Sequence, residues 1–320
     1  LQTAFDRFFK GIAGYPSYRK KFINDSFRFP TPQEFRITRV SKRKGIINLP
    51  KFGVCKFWWD DNDPIVGTPK SATISKEAGI WYISILCEVE IDDPIIINPE
   101  IAKNAIGLDR GCINLLGLSS LVAEDFNPQL AHLHRILRFS ESEQLIDLRK
   151  DVIHRYEAKI VGYQQLLAKK KKGSQAFQRI KAKISKLHRK LRNYRHDALH
   201  QLSRWIVDNQ DIICLEGLDV KDMTESNKGT KENPGTDVAK KSKLNKAILG
   251  QGWGYLRNFL LYKAKWRGKL CIDDINPAYT SQQCFSCKYI DENNRRGDAF
   301  LCLRCHHQDH ADINAAKNIL

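Results

Sequence analysis

The sequence predicts a mostly β module followed by an α/β domain that carries a helical hairpin and a small cysteine-rich ribbon. Three observations lead to this fold class. Short apolar runs separated by Gly, Pro and Asp turn signals extend from about residue 27 to residue 89, a pattern typical of short strands. Between about residues 140 and 209 the hydrophobic period becomes helical. Near the end of the chain, two Cys-x2-Cys pairs occur within a few dozen residues.

Length and charge narrow the class of protein. The chain has 320 residues, more than the roughly 150 that one domain averages, so we expect at least two domains. Lys and Arg number 53 against 36 acidic residues, a formal net charge of +17. This excess predicts a polyanionic partner, with nucleic acid as the leading candidate. Because no apolar run approaches the ~18 residues of a membrane span and the first residues lack a signal-peptide core, we expect a soluble cytoplasmic protein without a membrane partner.

The domain limits follow from these changes of pattern. We expect a helix and the β module over residues 1–103, and the α/β domain over 104–275. Within the latter, the sequence predicts a strand–turn–strand over 105–118, a basic helical hairpin over about 140–209 broken at KKKKGS, a strand at 211–215, a mobile polar loop at 221–242, a helix at about 243–267 and a strand at 270–275. The ribbon covers 276–308, and a last helical motif covers 309–320.

Three acidic residues stand in apolar or small-residue surroundings. They are Asp109 in IGLDRG, Glu216 at the end of the apolar strand IICL, and Asp312 before INAAKNIL. An ionised carboxylate in an apolar setting is costly unless a cation offsets the cost. The centre of one strand, the end of another and the start of a helix can meet at one edge of a sheet. Carboxylate oxygens gathered there would suit two Mg²⁺ or Mn²⁺ ions, which can support phosphodiester hydrolysis. Each acid also has a simpler interpretation, a strand-end acid for Asp109 and Glu216 and a helix N-cap for Asp312.

A fourth acid, Asp309, lies three residues before Asp312 and shares its helical face if the helix begins early. It is therefore a candidate additional Mg²⁺ ligand. The alternative is that the polar stretch CHHQDHAD around it is a loop.

The four clustered cysteines predict one structural zinc ion. Cys284 and Cys287 are separated by 14 residues from Cys302 and Cys305, and this two-knuckle spacing places four thiolates around Zn²⁺. Because four cysteines fill the coordination shell, the ion has no open position for catalysis. The alternative is a pair of disulfides, which a reducing cytoplasm disfavours. The other five cysteines stand alone and are expected to be reduced thiols.

Residues 166–195 form the most basic segment, with 12 Lys or Arg and no acidic residue. Apolar positions recur there at helical spacing, so one side can pack while the other follows a nucleic-acid backbone. The candidate contacts are Lys169, Lys170, Lys171, Lys172, Arg179, Lys183, Lys186, Arg189, Lys190 and Arg192. The alternative is a solvated helical hairpin. Trp58, Trp59 and Trp81 are candidates for stacking on bases, although aromatic residues in β modules are more often core.

The motifs GLDRG, LEGL and DINAAKNIL occur in this order, with the cysteine ribbon before the last and NPAYTSQQC at its start. Together they resemble the TnpB family, the OrfB proteins of insertion sequences, which are related to type V CRISPR effector nucleases. The resemblance implies a RuvC-like fold of the RNase H superfamily preceded by a wedge-like β domain. It also implies that Asp109, Glu216 and Asp312 are the metal-binding catalytic positions. By the same resemblance the chain is expected to begin after an N-terminal strand and helical insert of the family.

The function implied by this resemblance is an RNA-guided DNA endonuclease of a transposable element, with a guide RNA and a double-stranded DNA target as partners. Two alternatives remain open: a nuclease-inactive RNA-guided DNA-binding protein, and an unguided RuvC-like nuclease or recombinase. Arg195, Asp197 and His200 match a polar pattern of the family, and we expect them to orient structure.

Overall fold

The structure is a computed structural model, and it describes residues 2–11, 13–17, 25–59, 65–90, 94, 96–120, 128–229 and 233–320. The chain divides into two compact units, Leu1–Asp92 and Asp93–Leu320. Residues 230–232, in the middle of the predicted loop 221–242, lie outside the described part of the chain. None of the helices in the described ranges is both long and apolar enough to cross a membrane.

The first unit is built of antiparallel strands. Its elements are helix α1 (Gln2–Phe9) and strands β1 (Ser26–Phe29), β2 (Arg36–Ser41), β3 (Lys44–Leu49), β4 (Gly53–Trp58), β5 (Thr68–Glu77) and β6 (Ile80–Glu88). The strands form two three-stranded sheets, in the orders β1-β5-β6 and β2-β3-β4. Alternation of buried and exposed residues along β3 places Ile47 and Leu49 in a small core with Phe35 and Ala72.

The second unit contains a six-stranded mixed sheet. Its strands are β7 (Ala105–Arg110), β8 (Leu116–Leu118), β9 (Leu137–Phe139), β10 (Leu145–Leu148), β11 (Ile212–Glu216) and β12 (Leu270–Ile275), in the order β12-β11-β7-β8-β10-β9. Strand β11 runs parallel to both of its neighbours, β7 and β12, whereas β7, β8, β10 and β9 are antiparallel. The carboxyl ends of β7, β11 and β12 therefore meet at one edge of the sheet.

Helices cover this sheet. They are α2 (Pro128–Ile136), α3 (Lys150–Ala168), α4 (Gln175–Asn209), α5 (Val220–Met223), α6 (Val238–Gln251), α7 (Trp253–Trp266) and α8 (Ala311–Ile319). The main core joins Ile106 and Leu108 of β7 to Trp205 of α4 and to Leu256 and Leu260 of α7. Burying these large side chains away from water contributes most of the favourable free energy of packing the helices on the sheet.

The basic helical hairpin is formed by α3 and α4. The chain turns between them at Gly173, whose φ of +86° is one that glycine adopts at low cost. Ser174 then caps α4, because its hydroxyl accepts a hydrogen bond from the Phe177 amide at 3.2 Å. The helical pattern predicted from about residue 140 begins at Lys150 in the structure. The residues before it form β9 and β10, with Ile146 paired to Phe139.

The helix predicted at about 243–267 is two helices in the structure, and the first begins at Val238, inside the segment 221–242 that was predicted to be a loop. Gly252, with φ +75°, ends α6 and begins α7. Left-handed backbone at this position interrupts the helical hydrogen bonds. The segment that the apolar pattern predicted as one helix therefore forms two helices.

The ribbon and the last helix complete the second unit. Strands β13 (Arg295–Arg296), β14 (Ala299–Leu301) and β15 (Gln308–His310) form a small antiparallel sheet that leads directly into α8. Helix α8 packs very closely on the large sheet. A Cβ atom at Gly107 would collide with the carbonyl oxygen of Ala316, and one at Gly117 would lie 2.7 Å from the carbonyl oxygen of Asp312. Two glycines in the sheet thus allow the approach that places the start of α8 beside β7 and β8.

Candidate active site

The fold brings the three predicted carboxylates to one edge of the large sheet. Asp109 lies near the end of β7, and Glu216 is the last residue of the adjacent parallel strand β11, where Leu215 pairs with Leu108. Asp312 is the second residue of α8. Its backbone lies over Gly117, the residue of β8 that pairs with Asp109. More than ninety residues of sequence separate each acid from the next, so only the folded sheet brings them together.

The electrostatics of this edge show an excess of negative charge. Burial, followed by the nearby carboxylates of Glu216 and Asp312, raises the pKa of Asp109 to about 7, against the opposing guanidinium groups of Arg295 and Arg110. The pKa of Glu216 is also raised, because the effect of burial exceeds the opposing effects of a hydrogen bond from Thr280 and the charge of Arg110. Because the cationic side chains do not offset the carboxylates fully, a divalent cation would be stabilised here.

The chemistry of these donors fits Mg²⁺ or Mn²⁺, which prefer hard oxygen ligands. The three carboxylates form a looser group than the cysteines. Among the described residues, the four cysteines are the set of candidate ligands whose donor atoms all lie within 4.8 Å of one another. An open arrangement of this kind suits ions that retain water molecules and contact a substrate phosphate.

Neighbouring side chains hold two of the three acids. The carboxylate of Asp312 accepts a hydrogen bond from Arg295 Nη2 at 3.0 Å and another from Asn114 Nδ2 at 3.2 Å. The carboxylate of Glu216 accepts a hydrogen bond from the Thr280 hydroxyl at 2.6 Å. Arg295, Asn114 and Thr280 are site residues that the sequence analysis did not single out. Only Thr280 lies in a motif that it quoted, NPAYTSQQC.

Buried Arg110 supports the same edge from the next position of β7. Its side chain is 4% exposed, and its guanidinium donates a hydrogen bond to the backbone carbonyl of Glu216. The pKa of Arg110 is lowered, mainly because burial disfavours the charged guanidinium. The residue also lines a cleft of about 520 Å³ at the carboxyl ends of the parallel strands, together with Gly217, Gly254 and Asp274.

The start of α8 does not use the Asp312 carboxylate as its cap. The N-cap of this helix is His310, whose Nδ1 atom accepts a hydrogen bond from the Asp312 amide at 3.2 Å. Asp312 is therefore not the N-cap that its sequence position also allowed.

Asp309 lies outside α8, in strand β15. Its carboxylate accepts a hydrogen bond from Lys317 Nζ at 2.6 Å and is 14% exposed. To serve as an additional metal ligand, Asp309 would have to exchange this ion pair for the metal.

The four cysteines of the ribbon form a compact set of thiols. The Sγ atoms of Cys284 and Cys305 are 3.6 Å apart, and those of Cys287 and Cys302 are 3.5 Å apart. A disulfide bond would require about 2.05 Å. All four cysteines are free thiols, as are the five isolated ones. The donor set and the common centre fit a tetrahedral metal ion such as Zn²⁺.

The ribbon is attached to α8 through two asparagine side chains. The Asn314 amide donates to the carbonyl of Gln283 at 2.8 Å and accepts from the amide of Phe285 at 3.0 Å. Asn318 donates to the carbonyls of Thr280 and Gln283. The helix that carries Asp312 thus binds the first cysteine knuckle directly.

The predicted nucleic-acid contacts lie on the α3–α4 hairpin. Nine of the ten are exposed, and Arg189 is half-buried. The apolar side of the hairpin includes Leu191, which is 5% exposed, while Lys183 Nζ lies 5.4 Å above the ring of Tyr163. The hairpin therefore exposes most of these basic side chains to solvent.

Arg195, Asp197 and His200, the residues that match a polar pattern of the resembled family, lie on α4. Ring atoms of His200 lie 3.1 Å from the Tyr262 hydroxyl and 3.1 Å from Lys263 Nζ, which also donates to the Ser203 hydroxyl at 2.7 Å. Burial lowers the pKa of Lys263 to about 8. Arg195 is half-buried and Asp197 is exposed. The contacts of His200 join α4 to α7.

Two family models match parts of this chain. One, described as "Cas12f1-like, TNB domain", covers residues 253–319, and the other, OrfB_IS605, described as "Probable transposase", covers residues 145–227. Among solved structures, the chain is similar to a Cas12f1 chain in a complex with guide RNA and target DNA. The match has a TM-score of 0.56 and 13% identity, and covers 99% of this chain and 68% of that chain. At this identity the match shows a shared fold, a mixed sheet with helices.

Two curated relatives align with the whole chain. "Putative RNA-guided DNA endonuclease InsQ" of Escherichia coli (strain K12) is 34% identical over 321 residues, covering 100% of this chain and 71% of the relative. A protein of Streptomyces pristinaespiralis that carries the same name without the suffix InsQ is 27% identical over 329 residues, covering 100% of this chain and 68% of the relative. These matches confirm the resemblance noted in the sequence motifs, and the chain belongs to the TnpB family, the OrfB proteins of insertion sequences.

Proposed function

We propose that this chain is an RNA-guided DNA endonuclease that hydrolyses phosphodiester bonds with a RuvC-like, RNase H-like nuclease centre. The observation that carries the proposal is the convergence of Asp109, Glu216 and Asp312 at the edge where β7 and β11 end. The names of the full-length relatives support the same activity.

Asp109, Glu216 and Asp312 are the residues that would hold two Mg²⁺ or Mn²⁺ ions. Such a pair supplies activation of a water molecule and stabilisation of the departing oxygen of the phosphodiester. The chain itself contributes the placement of the acids on two rigid strands and a helix, and it contributes Arg295 and Arg110 as positive groups beside them. Asp309 remains a weaker candidate ligand because it lies in β15, outside the helix that carries Asp312, and Lys317 pairs with it.

The partners in this proposal are a guide RNA and a double-stranded DNA target. Base pairing with the guide selects the target, while the protein recognises shape and backbone. The exposed basic face of the α3–α4 hairpin is suited to contact phosphates. The ribbon cysteines Cys284, Cys287, Cys302 and Cys305 would hold one structural Zn²⁺.

The first experiment is to express the chain together with its native flanking DNA and to sequence the RNA that co-purifies. We expect one dominant RNA, and a DNA that matches its variable segment should be cut in Mg²⁺. Variants Asp109→Ala, Glu216→Ala and Asp312→Ala should each abolish cutting while RNA binding is retained.

Three outcomes of this experiment would contradict the proposed function or one of its residues. RNA capture and DNA occupancy without cutting by the parent would indicate a nuclease-inactive binding protein. Cutting of DNA without any specific RNA would indicate an unguided nuclease. A single variant that cuts at the parental rate would remove that residue from the proposed centre.

A further inference from the structure

The Thr280 hydroxyl makes a direct contact with one of the three carboxylates. It lies 2.6 Å from Glu216 Oε1, and the Thr280 residue is 8% exposed. The carbonyl of Pro277, at 3.1 Å, is a second acceptor within reach. A hydroxyl has one hydrogen, and a buried carboxylate at the shorter distance is the stronger acceptor. Thr280 therefore donates to Glu216.

The segment around Thr280 is held by its own backbone. It connects β12 to the first cysteine knuckle and includes Tyr279, whose φ of +66° lies in the left-handed region that few side chains adopt. The carbonyl of Tyr279 accepts hydrogen bonds from the amides of Gln282 and Gln283 at 2.9 and 2.8 Å. Strained backbone of this kind persists where the surrounding contacts determine it, and it often marks a functional site.

Helix α8 holds the same segment from the other side. The Asn318 amide donates to the carbonyl of Thr280 at 3.0 Å and to that of Gln283 at 2.7 Å. Asn314, which is fully buried, binds Gln283 and Phe285. The helix that carries Asp312 therefore also fixes the segment that orients Glu216, and two of the three acids share one packed support.

A hydroxyl at this position has a chemical consequence for the acid. Glu216 ends its strand 6% exposed, so its ionised form has lost most of its water. A hydrogen bond donated to the carboxylate restricts its rotation. A carboxylate that is already held in one orientation loses less conformational freedom when it binds a cation.

We propose that Thr280 is a positioning residue for Glu216: its hydroxyl holds this carboxylate in one orientation for divalent-cation binding, while α8 and the first ribbon knuckle hold Thr280 in place. The inference rests on the proposed function for the role of the acids. It goes beyond that function by assigning a further residue, outside the three carboxylates, to the site.

The test uses matched variants of the full chain. Thr280→Val keeps the shape of the side chain and removes the hydroxyl, whereas Thr280→Ser keeps the hydroxyl and removes the methyl group. Thr73→Val, in β5 of the first unit, controls for loss of a threonine hydroxyl elsewhere. Each variant is first checked for an unchanged thermal unfolding midpoint. Mn²⁺ affinity is then measured by electron paramagnetic resonance, and the rate of cleavage is measured under single-turnover conditions.

We expect Thr280→Val to weaken Mn²⁺ binding and to slow cleavage about 10- to 100-fold, the range typical of a hydrogen bond to a charged group. Thr280→Ser should stay within about threefold of the parent, since the hydroxyl is retained. Thr73→Val should match the parent.

The outcomes separate this inference from the proposed function. Unchanged Mn²⁺ affinity in Thr280→Val would overturn the inference, as would a Thr280→Ser defect equal to that of Thr280→Val. If Thr280→Val weakens Mn²⁺ binding but the parent cuts no guided target, the positioning role stands and the proposed function fails. If the parent binds no Mn²⁺, the three acids are not a cation site and the inference fails with it.

Discussion

At the scale of single residues, the ionised carboxylate of Asp109 lowers the stability of the folded protein. Its carboxyl lies among buried apolar residues and beside two other acids, and these surroundings raise its pKa to about 7. A folded-state pKa above the unfolded value means that the folded protein binds the proton more tightly. The contribution of this group therefore favours folding below about pH 4 and is lost as the pH rises through about 7.

This reasoning predicts that Asp109→Asn stabilises the metal-free protein at pH 8. The amide keeps the shape of the side chain but carries no charge to bury, so the free energy of unfolding should rise by up to about 4 kcal/mol. The gain should shrink at pH 5, where Asp109 is already protonated in the folded state. Urea unfolding in EDTA at the two pH values measures this difference. An equal effect at both pH values would contradict the ionisation argument.

Some site residues follow from the sequence, and others do not. Asp109, Glu216 and Asp312 each stand out locally, as an acid in an apolar strand, at a strand end or at a helix start. Thr280 and Arg295 carry no such signal. Their roles arise only when the ribbon folds back, so that Thr280 reaches Glu216 across 64 positions of sequence and Arg295 reaches Asp312 across 17.

At the scale of elements, the close packing of α8 on the sheet determines where Asp312 lies. The helix approaches β7 so closely that Gly107 has no room for a side chain against the carbonyl of Ala316. The small residues Ala315 and Ala316 are both buried at this contact. A displaced α8 would move both Asp312 and the asparagines that hold the ribbon.

We therefore predict that Gly107→Ala destabilises the protein by about 1–3 kcal/mol, the usual cost of overpacking a tight contact. It should also reduce cleavage, because Asp312 is carried by the displaced helix. Gly162→Ala is the matched control. Gly162 lies within α3, and a Cβ there meets nothing within 4 Å. That variant should raise stability by about 0.5–1 kcal/mol through helix propensity. Chemical denaturation of both variants checks the contrast, and equal behaviour would refute it.

The elements themselves were predictable to different degrees. The β7–β8 pairing, the long α3–α4 hairpin and the start of α8 follow from strong periodicity and turn signals. Strand β10 does not, because its four residues LIDL directly precede α3 and fit a helical period as well as a strand. Only pairing with β8 and β9 makes this segment a strand.

The basic hairpin permits a prediction about its interaction with nucleic acid. Lys169, Lys170, Lys171 and Lys172 are exposed at the turn between α3 and α4. Replacing all four by Gln should make the plot of the logarithm of the RNA-binding constant against the logarithm of salt concentration less steep. Its slope should fall in magnitude by about 0.7–0.9 for each phosphate that the protein no longer neutralises, with little effect on sequence preference. Replacing all four by Arg keeps the charge and is the control. Filter binding from 50 to 300 mM KCl measures the slope. An unchanged slope in the Gln variant would mean that this turn is only a solvated surface.

At the scale of the whole molecule, the candidate chemistry and the candidate nucleic-acid surface of the α/β part belong to one compact unit. The described acids of the candidate active site lie in the second unit, as do the four ribbon cysteines and the basic hairpin. The first unit is a separate β module with its own small core. Its Trp58 and Trp81 are 69% and 55% exposed, with Arg43 and Lys76 beside their rings. Trp58 and Trp81 are therefore surface residues and not the core residues that their β context favoured, and base stacking stays a candidate role for them.

The ribbon has a small core of its own, which a metal ion can stabilise. Cys284, Cys302, Phe300 and Ala311 pack together, and Ala311 is the first residue of α8. The ribbon also supplies Thr280 and Arg295 to the acids. A structural Zn²⁺ would thus support both the fold of the ribbon and the arrangement of the candidate active site.

This coupling predicts that removing zinc weakens cation binding at the distant carboxylates. Purified protein should contain one zinc ion per chain, and Cys302→Ser should lose it, since three thiolates hold zinc less tightly than four. The variant should then bind Mn²⁺ at least about tenfold more weakly, because its ribbon no longer holds Thr280 against Glu216. Cys87→Ser, at an isolated thiol in β6, should keep both the zinc and the Mn²⁺ affinity. Zinc content by mass spectrometry and Mn²⁺ titration by electron paramagnetic resonance give the two readouts. Zinc loss with unchanged Mn²⁺ affinity would show that the ribbon and the carboxylates act independently, and the contacts of Thr280 and Arg295 would then be consequences of packing alone.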